Sequence, residues 1–115
     1  MLIAKVSSAQ SLEGIWKGTS LCQIKTSPCH DETVVYYITK NGDNTYQVVA
    51  NKIIDGKEDY MGTIIYTYDP KQHVLTSIDN DRQANWEFKV TDKVMHGTLN
   101  YKSQLFRIID VKKEG

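Results

Sequence analysis

The clearest pattern in the chain lies at Trp86-Glu-Phe-Lys-Val90, where apolar residues alternate one-for-one with charged ones. That two-residue period belongs to a strand with one dry and one wet face. Similar β-patterned runs recur along the chain and predict about eight strands spaced by roughly 10–13 residues. The expected runs are Glu13 to Ile24, Thr33 to Thr39, Thr45 to Ile54, Met61 to Tyr68, Val74 to Ile78, Ala84 to Val90, Val94 to Tyr101 and Leu105 to Val111. Turn signals separate them. Asn41-Gly42 and Asp55-Gly56 supply positive φ at low cost, and Asp69-Pro70 and Asn80-Asp81 interrupt the next two runs. No segment of convincing length carries a helical period, apart from a turn near Ser7–Glu13.

Connections this short make sequence neighbours into antiparallel spatial neighbours. An even number of hairpin-joined strands can place its first strand beside its last and so remove exposed edges. The prediction is all-β: an eight-stranded antiparallel up-and-down barrel, with a two-sheet β-sandwich as the alternative. Alternation in the first strand points Trp16, Gly18, Ser20 and Cys22 inward. In the last strand it groups Leu105, Arg107, Ile109 and Val111. The expected lining adds Val35, Tyr37, Val49, Ile65, Trp86, Phe88, Leu99 and one of Tyr66 or Tyr68. Tyr36, Ile38, Tyr60 and Ile64 are expected outside, as an interaction patch or a homodimer seam. Within this lining, Tyr37, Tyr66, Trp86 and Phe88 are the candidate ligand contacts, because an eight-stranded barrel holds either packed side chains or one small ligand.

Length and charge narrow the function. At 115 residues the chain suits one domain. Fourteen Lys+Arg balance fourteen Asp+Glu, so no net field draws in nucleic acid, and no apolar run is long enough to span a bilayer. Residues 1–10 read as a flexible leader or the remnant of a secretion signal, with small Ser7 and Ala9 placed as before a cleavage site. Residues 11–115 form the barrel domain. Cys22 and Cys29 are the only cysteines. In an exported chain such a close pair reads as a disulfide, so the chain is expected to be secreted or periplasmic.

Arg107 stands among apolar residues and needs a partner if buried. An arginine over an indole face supplies one, so Trp16 and Arg107 are expected to meet at the barrel floor. The chain resembles the calycin superfamily of lipocalins, fatty-acid-binding proteins and avidins in Gly14-Ile-Trp16 at the start of its first strand and Arg107 in its last. It is also similar to small bacterial secreted proteins reading Trp-x-Gly-x-Ser-x-Cys and Pro-Cys-x-Asp-Glu, here Trp16 to Cys22 and Pro28 to Glu32. The resemblance implies a lipocalin-like binding module, with Gly14, Trp16 and Arg107 as its structural signature. The lipocalin terminal helix and the avidin set of stacking tryptophans are absent from the sequence pattern.

Chemistry is sparse. Cys22, Cys29, His30, Asp31 and Glu32 are all zinc-ligand types, but their spacing matches no standard site and neighbours on an extended chain diverge. Asp79-Asn80-Asp81 lacks the full spacing of a calcium loop. His30, His73 and His96 read as rim or solvated residues. No acid–base pair or nucleophile context appears, so neither catalysis nor a cofactor or metal is expected. The expected function is binding of a small hydrophobic or amphipathic molecule at the barrel mouth, by a monomer or homodimer. The alternative is a filled barrel acting as a scaffold for protein–protein contacts through its loops and outer face.

Overall fold

The computed structural model describes residues 11–24, 26 and 28–115. These form strands β1 (Gly14–Cys22), β2 (Glu32–Lys40), β3 (Thr45–Ile54), β4 (Lys57–Asp69), β5 (Val74–Asp79), β6 (Ala84–Thr91), β7 (Val94–Tyr101) and β8 (Gln104–Lys113). They close in sequence order into an antiparallel barrel, β1 pairing with β8. The barrel is therefore the up-and-down form, and closure excludes the sandwich. The expected leader and residues 7–10 of the turn expected near Ser7–Glu13 fall outside the described residues; residues 11–13 are coil leading into β1.

The hairpins follow local chemistry. Asp55 and Gly56 take φ of 52° and 78°, the left-handed pair of a tight hairpin turn. Asp69 holds the β4–β5 turn by accepting Lys71 N–H and Gln72 N–H on its carboxylate, at 2.9 and 3.2 Å. Asn41-Gly42 also sits in a hairpin, but Gly42 is not left-handed. There a four-residue connection is closed by Asn41 N–H donating to the Thr45 carbonyl at 3.0 Å. β4 begins at Lys57, four residues before the expected start, because Asp55-Gly56 turns so tightly that pairing resumes at once, Ile54 opposite Lys57.

The lower half of the barrel is solid. Leu12, Trp16, Met95 and Val111 are each 1% exposed, and Trp16 Nε1–H donates to the Leu12 carbonyl at 2.9 Å. Phe88, 2% exposed, meets Tyr36 and Tyr66 edge-on at 6.2 and 5.9 Å, an arrangement aromatic quadrupoles favour. Gly97 makes room for that ring: a Cβ there would lie 2.4 Å from Phe88 Cδ2 and 2.6 Å from the Glu87 carbonyl oxygen.

Several expected facings are corrected. Tyr36 lies opposite inward-pointing Trp16, so Tyr36 and Ile38 face in, while Val35 and Tyr37 face out. β3 and β4 follow through Tyr36↔Ala50 and Val48↔Ile64, which turns Val48 and Ile64 inward and Val49 and Ile65 outward. Tyr66 and Tyr68, two residues apart, both face in. Every residue from Val34 to Ile38 is β-branched or aromatic, so that stretch carries no polar phase from which to read its faces. Leu105 also leaves the predicted inner face. A bulge between Leu99 and Asn100 makes Phe106 the extra residue, so Leu105 pairs with outward Asn100.

Trp16 and Arg107 do not meet. On β1, Trp16 pairs with Lys113 and Cys22 with Arg107, a separation of about 20 Å along the strand. The two signature residues stand at opposite ends. Gly14 holds φ of 138°, with Lys113 Cε 2.8 Å from where its Cβ would be, and Lys113 Nζ donates to the Ser11 carbonyl at 2.9 Å. The cationic side chain at the Trp16 end is Lys113, not Arg107.

Candidate functional site

Above Phe88 the barrel opens into a cavity of about 310 Å3. Alternation places its walls: Ser20 from β1, Val34 and Tyr36 from β2, Val48 and Ala50 from β3, Ile64 and Tyr66 from β4, Trp86 from β6, Leu99 from β7 and Ile109 from β8. Glu32, Arg82 and Arg107 add charge to the lining. The volume lies at the lower end of the range for small-molecule sites, and a few polar groups on a mainly apolar wall are the usual composition of such sites.

The polar groups have defined states. Burial pushes the Tyr36 hydroxyl far above the ordinary tyrosine value, the Glu32 carboxylate pushes it further, and Arg107 partly offsets both. Tyr66 is likewise raised well above its usual value, by burial and then by Tyr36. Both therefore stay protonated near neutrality and present neutral O–H donors.

Arg107 works at the rim as a latch. Its Nη1 donates to the Ser20 carbonyl and Oγ, each at 3.2 Å, and to the His30 carbonyl at 3.0 Å. Glu32 Oε1 lies 3.6 Å away, and Lys52 Nζ is 3.9 Å from Glu32 Oε2. The guanidinium also stands 5.6 Å from the Phe106 ring centroid, so an aromatic partner exists but is not Trp16. Asp31 adds a second tie by accepting the Cys22 N–H at 2.8 Å. The Cys22–Cys29 disulfide, with Cα atoms 5.9 Å apart, is the third. The Pro-Cys-His-Asp-Glu stretch thus fastens the β1–β2 loop to the mouth. Among the described residues no three His, Cys, Asp or Glu side chains gather as a ligand set.

Of the four predicted ligand contacts, Tyr66 and Trp86 line the cavity. Phe88 lies in the packed core beneath it. Tyr37 is on the outer surface, its hydroxyl donating to both Glu58 oxygens at 2.7 and 2.9 Å. Asn51 Nδ2 donates to the same carboxylate at 2.9 Å. These two donors, Asn51 first, hold Glu58 below its ordinary value, and Glu58 in turn raises Tyr37. Tyr36, Ser20 and Glu32 are cavity residues that the sequence reading did not assign to a ligand. Placing Tyr36 opposite Trp16 would have found the first. Of the expected outer patch only Tyr60 remains outside, 64% exposed. His96 faces out as expected, bonded through Nδ1 to Asp110.

Among the described residues no helix is long and apolar enough to cross a membrane. No protein-family model matches this chain, and no curated protein matches it.

Proposed function

We propose that the chain is a lipocalin-like binding module whose upper barrel holds one small amphipathic molecule. The observation that carries this reading is the cavity of about 310 Å3 above a solid floor. Its apolar wall suits a hydrocarbon or ring. Tyr36, Tyr66 and the Arg107–Glu32 pair offer donors and an acceptor for a polar end. The calycin resemblance fits a barrel solid at one end and hollow at the other. The disulfide supports secretion or a periplasmic site, where such bonds persist. The role is binding rather than catalysis.

The test begins with mass measurement of the purified protein under native and denaturing conditions. A species of discrete mass lost on denaturation identifies the ligand class. Titration with the amphipathic dye anilinonaphthalene sulfonate follows, on the native chain and on Ala50→Phe, which places a ring in the cavity. The expected result is binding to the native chain and its loss in the folded variant. Equal binding by both, or none by either together with equal masses, removes the cavity as the site.

A further inference from the structure

The β4–β5 ladder stops early. It contains Thr67↔Thr76, Tyr68↔Leu75 and Asp69↔Val74, while β4 runs back to Lys57 and β5 stays paired with β6 as far as Asp79↔Ala84. Continued in register, the ladder would set Tyr66 against Ser77, Ile65 against Ile78 and Ile64 against Asp79. Those pairs do not form. A cleft of about 560 Å3 lies there instead, with Thr63, Ile64, Ser77, Arg82 and Trp86 in its walls.

Both walls of this slit are strand edges. Among the described residues, 57–66 of β4 pair with β3 on one side and have no ladder partner on the other. The outer half of the β4 edge carries the usual protection of exposed strands: charges at Lys57-Glu58-Asp59 and a bulge at Met61 opposite Ala50 and Asn51. The inner half, Gly62-Thr-Ile-Ile-Tyr66, has no charge, no proline and high strand propensity. Beside it Ile65 and Ile78 are 47% and 67% exposed.

We propose that this slit is a docking site for an extended peptide, which adds to the free edge of β4 as a further strand. The walls repeat backbone donors and acceptors at strand spacing, and another backbone is the ligand that matches them. A hydrocarbon chain would leave those groups unmet, at the usual cost of burying them without partners. A second copy of this protein would bring β3 behind its own β4, with β5 and β6 standing across the cleft. A lone strand brings nothing behind it. The segment that fits is β-branched and about five residues long to match Gly62–Tyr66; Asp79 and Asp81 also line the cleft, so flanking lysines suit it. One set of its side chains points toward Trp86, and the other lies beside Ile65 and Ile78. Ile64, Arg82 and Trp86 line both the slit and the cavity, but the free strand edges that carry this proposal do not require the cavity to hold a small molecule.

The experiment titrates the 15N-labelled full chain with the capped peptide Lys-Thr-Val-Thr-Val-Thr-Lys, and with the same peptide N-methylated at alternate residues. The expected result is chemical-shift change and slowed amide exchange confined to residues 62–66 and 77–79. Removing two backbone donors by N-methylation weakens binding by about tenfold or more. Equal binding of the methylated peptide, shifts centred on the outer face around Tyr37, or no binding at millimolar peptide each overturns the proposal.

Discussion

Replacing Arg107 with Met asks which of its contacts holds the mouth of the barrel. The side chain is 12% exposed and that of Glu32 20%, so this ion pair is neither in bulk water nor fully dry. At 3.6 Å, with both side chains mostly buried, the attraction is largely offset by the cost of desolvating the two charges, so the pair contributes about 0–1 kcal/mol. Hydrogen bonds from a charged donor to oxygens contribute about 1.5–3 kcal/mol. Nη1 shares itself among the Ser20 carbonyl, Ser20 Oγ and the His30 carbonyl, so its contribution is nearer one strong bond than three. Arg107→Met is therefore expected to cost about 2–3 kcal/mol, and Glu32→Gln less than about 1 kcal/mol. Urea unfolding without reductant, followed by the fluorescence of Trp16 and Trp86, measures both variants and their double mutant. The expected coupling between the two sites is under about 1 kcal/mol. If Glu32→Gln costs as much as Arg107→Met and most of that cost is shared in the double mutant, the ion pair is the latch and the reasoning from the carbonyls is wrong.

Three further outcomes follow from the same geometry. At Gly18 a Cβ would lie 1.8 Å from the Asp110 carbonyl oxygen and 2.8 Å from Val111 Cα. Gly18→Ala should thus open the β1–β8 seam and lower stability by about 3 kcal/mol or more, measured by urea unfolding, and a loss under about 1 kcal/mol would show that the strands can part cheaply. Tyr66 and Tyr36 hold their protons more tightly folded than unfolded, where tyrosine titrates near 10.0. Their contribution to stability should therefore be constant below that pH and decline above it, with near-ultraviolet absorbance showing these two ionising only as the chain unfolds; reversible ionisation of all seven tyrosines in an intact barrel would contradict this. Glu58 is depressed in the fold, so its contribution is present above its unfolded value and disappears as pH falls through the folded one. NMR titration of Glu58→Gln should show Tyr37 moving back down toward an ordinary tyrosine, and an unchanged Tyr37 would mean that Glu58 is not its perturber.

The sequence was informative where polarity has a phase. Glu87 and Lys89 mark one face of β6 as wet, and Trp86, Phe88 and Val90 face in as that pattern requires. β2 offers no such marker, because Val34 to Ile38 is apolar throughout; its phase comes from Trp16 across the ladder. Leu105 was unreadable for a different reason: one bulged residue, Phe106, flips everything before it in β8, and nothing in Gln-Leu-Phe-Arg announces the bulge. Arg107 illustrates the limit best. That it turns inward on the last strand follows from alternation, but its partner depends on how far β8 slides along β1, and neither strand encodes that offset in its own pattern. The offset is constrained not by alternation but by one residue of β1, Gly18. The Asp110–Val111 backbone comes so close there that no side chain fits, and pairing Gly18 with Val111 carries Arg107 to Cys22 rather than to Trp16. A glycine between a tryptophan and a serine in a strand is thus a register mark. That mark says that another backbone passes close to Gly18 without saying which residue of β8 it is, so the latch's place at the mouth, beside the cavity, is read from the ladder between the strands.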